Sequence, residues 1–250
     1  MDNVILLDWD TKFFGFPVAQ ISSNRLDKKS LKEVLNFCQK NKIKLLQFKC
    51  DAHHRQSVLL AEKNNFHFAD VRITLTKQLS TEDCHEENLP NKISFRVGDN
   101  ADIPTLKDIV TDIYTNSRYY FDTNFPRNDV HGFYRNWIEK SVLGNFDDLV
   151  WVLCNNDVPI ACCSILYNSS RLSATIGLFA VDDKMSGQGL GNLLLSKVLR
   201  KLSLEGVKKV SVVTQGRNYG AQRLYQRAGF QSETMEIYYH CWFDINGEKE

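Results

Sequence analysis

The feature that most constrains the fold is a glycine-rich turn between an apolar strand and a helix. Apolar residues 176–181 precede Ser186-Gly-Gln-Gly-Leu-Gly-Asn192, and a helical period of leucines follows from Leu190. Glycine adopts backbone conformations that other residues avoid, and the first N–H groups of a helix have no partner within the helix. The order strand, glycine turn, helix therefore predicts an anion-binding site, and phosphate is the anion that fits such a site best.

The spacing of the glycines separates this turn from two common phosphate-binding loops. A Walker A loop ends in Gly-Lys-Ser/Thr, and a dinucleotide-binding loop has its glycines in the pattern Gly-x-Gly-x-x-Gly. Here the glycines are Gly187, Gly189 and Gly191. The turn resembles the pyrophosphate loop of the GCN5-related N-acetyltransferase (GNAT) superfamily, Arg/Gln-x-x-Gly-x-Gly/Ala, with Ser186 in place of the usual Arg or Gln. A tight turn without a ligand is the alternative.

A second motif follows another predicted strand at 209–214. Asn218-Tyr-Gly-Ala-Gln-Arg-Leu-Tyr-Gln-Arg-Ala-Gly-Phe230 has the pattern Asn-x-x-Ala-x-x-x-Tyr-x-x-x-Gly-Phe and resembles the second GNAT signature. The resemblance implies that Asn218 contacts the pantetheine arm of coenzyme A. It also implies that Tyr225 is the general acid, which protonates the departing thiolate. The alternative is that Tyr225 packs on an amphipathic helix beside Leu224 and Phe230.

The two motifs together imply the acyl donor and the residues that hold it. The donor is acetyl-CoA or another short-chain acyl-CoA, and no metal is expected. Backbone N–H groups of the strand before the turn would hold the coenzyme and polarise the thioester carbonyl. The expected coenzyme-binding residues are Leu178, Phe179, Ala180, Val181, Ser186, Gly187, Gln188, Gly189, Leu190, Gly191, Asn192 and Asn218.

Composition narrows the partners and the compartment. The chain has 250 residues, 43% hydrophobic and 24% charged, and its net charge of +1 gives no support to nucleic acid as a partner. No stretch approaches the length of a membrane span and the N-terminus lacks signal-peptide features, so we expect a cytoplasmic protein without a membrane partner. Cys154, Cys162 and Cys163 lie in apolar strands, which predicts reduced core residues. Cys84, beside His85, lies in a polar segment.

The order of predicted elements divides the chain into three parts. Residues 1–78 form a small α/β unit whose ending resembles that of the C-terminal part, which suggests a truncated GNAT-like half-domain. Residues 79–92 are acidic and lack an apolar period, which predicts a linker. Residues 93–250 have the element order of a complete GNAT domain, with a hairpin turn at Asn155-Asn-Asp157. The expected fold is α/β of the α+β kind, with a mixed, mostly antiparallel sheet flanked by helices.

Two aromatic segments narrow the acceptor substrate. Ser117-Arg-Tyr-Tyr-Phe-Asp-Thr-Asn-Phe-Pro126, the helix that contains His131, and Trp9-Asp-Thr-Lys-Phe-Phe-Gly15 resemble the TDP-fucosamine acetyltransferases. This GNAT branch acylates nucleotide-linked amino sugars for bacterial surface polysaccharides such as lipopolysaccharide O-antigen or capsule. The resemblance implies a dTDP-linked 3-amino- or 4-amino-6-deoxyhexose as substrate, and a homodimer.

A nucleotide sugar needs flat surfaces for its base and cations for its pyrophosphate. Arg118 is the first choice for the pyrophosphate and Arg127 the second. The alternative for the phenylalanines of 13–16 is that they only seal the half-domain, whereas three successive aromatic residues at 119–121 cannot share one face of a helix. The expected substrate-binding residues are Trp9, Phe13, Phe14, Arg118, Tyr119, Tyr120, Phe121 and His131.

The base that removes the amine proton is open. Many GNAT enzymes place a Glu on the strand before the glycine turn, but residues 171–181 contain no carboxylate. The candidates are an ordered water, His131 and Asp122. Cys162 and Cys163 could in principle form an acyl-enzyme, but buried and unactivated thiols are poor nucleophiles.

The sequence also leaves the identity of the acyl group and of the acceptor open. Gly177, Ala180 and Ala161 are small residues expected to face the thioester, which would leave room for acetyl or for a longer group such as 3-hydroxybutyryl. The leading function is direct transfer to a nucleotide sugar. The second is a GNAT enzyme acting on a protein or a small-molecule amine. The third is a catalytically idle acyl-CoA sensor, in which Tyr225 would be dispensable.

Overall fold

The structure, a computed structural model, describes residues 3–80, 88–111 and 113–244. These residues form two compact units. Unit 1 consists of residues 3–73, 117–124 and 234–244, and unit 2 of the other described residues between 74 and 233. Cys84 and most of the polar segment around it, at 81–87, lie outside the described residues. The boundaries 1–78, 79–92 and 93–250 stay a prediction.

The elements are numbered along the chain. The strands are β1 (Val4–Leu6), β2 (Val18–Ile21), β3 (Leu45–Asp51), β4 (His67–Gln78), β5 (Ile93–Val97), β6 (Leu149–Asn155), β7 (Val158–Tyr167), β8 (Ser173–Val181), β9 (Lys209–Gln215) and β10 (Gln231–Trp242). The helices are α1 (Asp8–Phe14), α2 (Lys28–Lys40), α3 (Arg55–Glu62), α4 (Ile103–Thr111), α5 (Arg118–Phe121), α6 (Arg127–Val142), α7 (Leu190–Leu204) and α8 (Tyr219–Arg227).

Unit 1 contains a mixed sheet. β1 and β2 pair antiparallel, β2 and β3 pair parallel, and β3 pairs antiparallel with the end of β10 from Glu236↔Asp51 to Trp242↔Leu45. Residues 236–242 therefore lie beside residues 45–51. This pairing brings residues together that are nearly two hundred positions apart in sequence.

The helices of unit 1 follow local signals. α2 begins after a capping box in which the Asp27 side chain accepts from the Ser30 N–H. Its buried residues Leu31, Val34 and Cys38 recur at helical spacing, so one face packs on the sheet. α1 ends at Gly15, whose φ of 76° is the left-handed conformation in which many helices terminate.

Unit 2 contains an antiparallel meander followed by one parallel pair. β5, β6, β7 and β8 pair antiparallel in sequence order, and β9 pairs parallel with β8. The two-residue turn Asn156-Asp157 between β6 and β7 has positive φ at both positions, which is the turn type that suits a tight hairpin. The predicted hairpin is confirmed.

The helices of unit 2 bury one apolar face each. α7 buries six of its residues, which recur at helical spacing. α4 and α6 are joined by Lys107 with Glu139 and by Arg135 with Asp108. None of the helices in the described ranges combines the length and the apolarity that crossing a membrane requires.

The predicted fold class is confirmed, and two details differ. The sheet is mixed and mostly antiparallel, with helices flanking it, as the sequence predicts. Neither the Trp9 segment nor the aromatic segment at 117–126 was assigned a helix from the sequence, and they contain α1 and α5. Both helices are very short, so each gives too few turns for a recognisable apolar period.

Candidate functional site

The candidate site of unit 2 lies along the part of β8 that extends beyond its pairing with the parallel strand β9. The β8–β9 register runs from Ser173↔Lys209 to Ile176↔Val212, whereas β8 continues to Val181. N–H and C=O groups of alternate residues in a strand point to alternate edges. Residues 177–181 therefore present backbone donors and acceptors on the side from which β9 has departed.

The glycine turn follows this edge directly. Gly187 and Gly189 have φ of 77° and 79°, a region that side chains disfavour, and Gly189 is the N-cap of α7. Gly191 differs, because a Cβ there would only meet Leu224 and Val181 at ordinary contact distances. The conformational demand for glycine thus falls on two of the three positions, and the turn leads directly into the first N–H groups of α7, which have no partner within the helix.

These elements enclose a cavity of about 310 Å³, which we call the cradle. Nine of the twelve predicted coenzyme-binding residues line it, whereas Leu178, Gln188 and Asn192 do not. The lining residues that were predicted are Phe179, Ala180, Val181, Ser186, Gly187, Gly189, Leu190, Gly191 and Asn218. Sequence reasoning missed Ile113, Met185, Gly220, Ala221 and Leu224.

Asn218 lines the cradle and also caps a helix. Its side-chain oxygen accepts the Ala221 N–H at 3.1 Å and so caps α8. Because the oxygen is used in the cap, the side-chain NH₂ is the part of Asn218 that remains for a ligand carbonyl in the cradle. The position near the pantetheine arm stays a prediction.

A tyrosine that the sequence did not single out contacts the open edge of β8. The Tyr114 hydroxyl accepts the Phe179 N–H at 3.0 Å and donates to the Phe179 carbonyl at 3.3 Å. Its ring stacks on Tyr134 of α6 with centroids 4.2 Å apart. The phenol therefore satisfies the same backbone pair that a secondary amide would satisfy.

The N–H groups of β8 have different partners. That of Leu178 donates to Ser164 Oγ at 2.7 Å, on the side of β7, where the register shifts between Cys163 and Ile165. Those of Phe179 and Val181 share the opposite edge. Of the run Leu178 to Val181 that was expected to hold the thioester, the open edge presents Phe179 and Val181.

Tyr225 is buried beside this edge. Its side chain is 3% exposed, and its ring contacts Phe179 at 6.0 Å and Phe230 at 5.6 Å between centroids. Burial raises the pKa of Tyr225, so the hydroxyl stays protonated over the whole physiological range. A protonated phenol is what a general acid requires, and the assignment of that role stays a prediction.

The two neighbouring cysteines are unsuited to covalent catalysis. Cys162 and Cys163 are fully buried in β7. Burial raises the pKa of Cys162 to about 12 and that of Cys163 well above its usual value, so both remain thiols.

The space beside Gly177 is already filled. A Cβ on Gly177 would lie 2.7 Å from Ser164 Oγ and 2.9 Å from Asp147 Oδ2. Ala180 is on the other face of the strand and is buried, as is Ala161. Gly177 therefore offers no space of the kind that the sequence predicted, whereas Ala180 lines the cradle, and the choice of acyl group stays a prediction. Glycine is needed at 177 because two polar side chains occupy the position of its side chain.

In unit 1 most of the predicted substrate residues form one group, which we call the aromatic cluster. Neighbouring rings lie 5.1 to 6.0 Å apart between centroids along the chain of contacts Trp9, Phe13, Phe14 and Tyr119, with Phe16 and Trp242 attached through Phe14. The aromatic cluster joins α1, α5 and β10, which are distant in sequence.

Arg118 and Tyr119 tie this cluster to a polar network. The Arg118 guanidinium lies 4.1 Å from the Tyr119 ring centroid and 4.4 Å from that of Tyr238, and it donates to the Tyr119 hydroxyl at 2.7 Å. The Tyr119 hydroxyl donates to Asp10 through a very short hydrogen bond. Tyr119 is thus a buried member of the network rather than an exposed stacking surface.

Asp122 is part of a second polar contact in unit 1. Its Oδ2 lies 2.6 Å from His240 Nδ1 and accepts from Trp242 Nε1 at 2.9 Å. His240 and Trp242 are in β10, and no local pattern in the sequence marks them as partners of Asp122. Both contacts depend on the pairing of β10 with β3.

The remaining predicted substrate residues are dispersed. Phe121 is 48% exposed and meets Phe68, and Tyr120 is half-buried, with its N–H donated to Ser117 Oγ. His131 lies in α6 and so belongs to unit 2. Among the described residues, no group of three or more His, Cys, Asp or Glu is placed to hold a metal ion.

Comparisons with known proteins agree with this geometry. Residues 107–230 match the acetyltransferase (GNAT) family. The chain is 27% identical over 143 residues to the spore coat polysaccharide biosynthesis protein SpsD of Bacillus subtilis (strain 168), covering 57% of this chain and 48% of that protein. It is 30% identical over 139 residues to the dTDP-fucosamine acetyltransferase of Escherichia coli O6:H1, covering 55% and 58%. The matched regions thus span about half the length of these relatives.

A solved structure shows the same fold. The crystal structure of a GCN5-related N-acetyltransferase from Sphaerobacter thermophilus superimposes with a TM-score of 0.66 at 13% identity, covering 95% of this chain and 75% of that one.

Proposed function

Residues 107–230 belong to the acetyltransferase (GNAT) family, and on that premise we propose that the protein is an acyl-CoA-dependent sugar N-acyltransferase. The donor is acetyl-CoA or a short hydroxyacyl-CoA such as 3-hydroxybutyryl-CoA. The acceptor is the amino group of a dTDP-linked 3-amino- or 4-amino-6-deoxyhexose. The product serves surface polysaccharide synthesis, such as that of lipopolysaccharide O-antigen or capsule, and we propose a cytoplasmic homodimer.

The observation that carries the donor half of this proposal is the cradle. It joins the glycine turn, the first turn of α7 and the open edge of β8 in one cavity. The turn and the helix N-terminus suit a pyrophosphate, because N–H groups and the helix dipole attract negative charge. The paired N–H and C=O of Phe179 suit an amide of the pantetheine arm. A coenzyme with both groups matches both features.

The acceptor half rests on the aromatic cluster and on the relatives. One relative is named as a dTDP-fucosamine acetyltransferase and the other as a polysaccharide biosynthesis protein. Aromatic rings and an arginine are the side chains that bind a base and a pyrophosphate. The contacts of Arg118 restrict its freedom to bind a pyrophosphate, because the guanidinium already stacks on two tyrosine rings and donates to the Tyr119 hydroxyl. We propose that it orders the sugar site as well as supplying charge.

The chemistry of the proposed reaction requires positioning and two proton transfers. The neutral amine attacks the thioester carbonyl, and the N–H groups on the open edge of β8 stabilise the charge that develops on its oxygen. The Tyr225 hydroxyl protonates the thiolate that departs. Burial excludes water from this hydroxyl and keeps it in the protonated form.

A thiol-release assay tests the proposal directly. Acetyl-CoA and 3-hydroxybutyryl-CoA are each offered against dTDP-linked 3-amino and 4-amino 6-deoxyhexoses of gluco and galacto configuration. We expect release of coenzyme A with one sugar, and mass spectrometry of the product gives the acyl group and the amine position. Release with a protein or small-molecule amine, and none with the sugars, would transfer the function to the alternative of a GNAT enzyme with another acceptor.

The same assay tests the general acid through Tyr225→Phe. The variant keeps the ring that packs on Phe179 and loses the proton donor, so we expect turnover to fall by about 10²-fold or more while acyl-CoA affinity holds. Tyr219→Phe is the matched control, because it removes an exposed hydroxyl from the same helix, α8. Equal turnover of the two variants would remove Tyr225 from the mechanism.

A further inference from the structure

Asp147 is a buried carboxylate in unit 2 that the mechanism above does not use. It lies just before β6, and its side chain is 3% exposed. Oδ2 accepts from Trp137 Nε1 at 3.0 Å and from Ser141 Oγ at 2.7 Å, both on α6. Buried carboxylates are costly and are retained where they have partners and a purpose.

The carboxylate lies over the centre of β8. A Cβ on Gly177 would come within 2.9 Å of Oδ2 and 3.0 Å of Oδ1. The Asp147 carboxylate therefore occupies the place that a side chain of β8 would take at this position. β8 has no Asp or Glu of its own, and Asp147, from the segment before β6, places a carboxylate beside it.

The position is on the same face of β8 as the proposed general acid. Side chains of residues 177 and 179 point to one face, about 7 Å apart along the strand. The Phe179 ring contacts the Tyr225 ring on that face. Asp147 and Tyr225 are therefore an ionisable pair on one face of the strand whose edge has the backbone donors for the thioester.

The other candidates for a base are less well placed. The Asp122 carboxylate is bonded to His240 and Trp242 in unit 1. His131 is in unit 2, on α6, but it lies about two helical turns from Trp137, the α6 residue that bonds Asp147. Among the described residues, the hydrogen-bond donors to Asp147 are Trp137 and Ser141 of α6, and both are on Oδ2. They fix the carboxylate, and the lone pairs of Oδ1 are the acceptor for a substrate proton.

We propose that Asp147 is the general base of the acyl transfer, a role that rests on the proposed function. Asp147 takes one proton from the substrate ammonium group, and the lone pair thus released on nitrogen forms the C–N bond. The C–S bond then breaks, and the thiolate takes the Tyr225 proton. The nitrogen releases its second proton, which restores Tyr225, and Asp147 returns its proton to solvent. The net products are amide, thiol and one proton.

Asp147→Asn tests the assignment, because it keeps the shape and an acceptor for α6 but cannot take a proton. We expect kcat to fall at least 100-fold at neutral pH with acyl-CoA affinity within twofold of the wild type. Described residues that face the carboxylate include Trp137 and Ser141 from α6 and Ser164 and Cys163 from β7. None of these neighbours carries a carboxylate, so a loss of turnover in Asp147→Asn reports on Asp147 itself.

Two further variants separate a catalytic role from a structural one. Asp148→Asn removes the adjacent carboxylate, which accepts the Tyr167 N–H, and should leave turnover unchanged. Trp137→Phe removes one donor from Asp147 and leaves the carboxylate in place, so it should keep most of the turnover that Asp147→Asn loses. Wild-type turnover in Asp147→Asn, or equal losses of turnover and acyl-CoA binding, would overturn the proposal.

Hydrolysis of acetyl-CoA in the absence of sugar shows whether a negative result comes from a wrong acceptor or from a wrong general base. Water must also lose a proton when it attacks the thioester, so Asp147→Asn should slow this background reaction at least tenfold. If no sugar is acylated and hydrolysis still depends on Asp147, the acceptor is wrong and the base stands. If the sugar is acylated and the variant matches the wild type, the base is wrong and the acceptor stands.

Discussion

The cradle of unit 2 and the aromatic cluster of unit 1 are built by opposite means. The cradle is built mainly from main-chain groups, two glycines with positive φ and a helix N-terminus, which lie close together in sequence, and Ile113 and part of α8 complete its lining. The aromatic cluster uses side chains from α1, α5 and β10, which meet only after the fold has formed. A site made of backbone depends on conformation and hardly on residue type, whereas a site made of side chains depends on each residue and on its ionisation.

The largest effect that this comparison predicts is for Gly189→Ala. A side chain at φ 79° raises the conformational free energy by about 1–2 kcal/mol. The loop should therefore change conformation, and its N–H groups should no longer point at the bound phosphates. We expect acyl-CoA binding to weaken roughly tenfold by calorimetry, since about 1.4 kcal/mol corresponds to a factor of ten. Binding of a dTDP-sugar should stay unchanged, because the aromatic cluster contains no part of this turn.

Gly206→Ala is the control for backbone strain alone. Gly206 follows α7, has a φ of 88° and does not line the cradle. It should lower the melting temperature without changing acyl-CoA affinity. If both glycine variants weaken acyl-CoA binding equally, then Gly189→Ala acts through the stability of the fold. The cradle would then not be the coenzyme site.

A smaller and opposite effect is expected for Tyr114→Phe. The Tyr114 hydroxyl bonds the N–H and C=O of Phe179, which are the groups proposed for the pantetheine amide. A ligand must displace this hydrogen-bonding partner, whose net contribution is about 1 kcal/mol. Removal of the hydroxyl should therefore tighten acyl-CoA binding about fivefold, and calorimetry measures it. Tyr167→Phe, which loses a hydroxyl that bonds Glu205, should change nothing. Weaker binding in Tyr114→Phe would mean that the phenol contacts the coenzyme itself.

The same contrast explains what the sequence could predict. The turn, α7 and α8 are local, so glycine spacing and apolar period indicated them together with nine of the residues that line the cradle. Tyr114, Asp147 and His240 were not found. Each acts through a partner on another element, and Asp147 is recognisable only because the structure shows its carboxylate in the place that a side chain at Gly177 would take.

The sequence indicated which residues form the aromatic cluster but not the contacts that they make. Trp9, Phe14 and Tyr119 were expected at one site, and they do form one connected group with Phe13. The sequence could not show that Arg118 is stacked between two tyrosines, because Tyr238 arrives from β10. Strand pairing over such a separation leaves no local signal.

The smallest predicted effect concerns acid sensitivity of unit 1. Burial lowers the pKa of His240 although Asp122 opposes it, and burial would raise the pKa of Asp122 but the bonds from His240 and Trp242 hold it below its usual value. The folded pair is thus a neutral imidazole with a carboxylate. Below the ordinary histidine pKa of about 6.5 the unfolded chain binds a proton that the folded chain does not, so stability falls as pH falls.

His240→Gln removes the titrating group and should flatten this dependence by less than about 1.4 kcal/mol per pH unit, the limit for one proton. Urea unfolding of the wild type and the variant between pH 5 and 7.5 measures the difference, and His67→Gln, at an exposed position in unit 1, is the control. Acyl-CoA affinity should be insensitive to His240→Gln at every pH, because main-chain N–H groups do not titrate. If His240→Gln leaves the slope unchanged, the pair is not the source of acid sensitivity, and the contrast between a site of side chains and a site of backbone loses its electrostatic part.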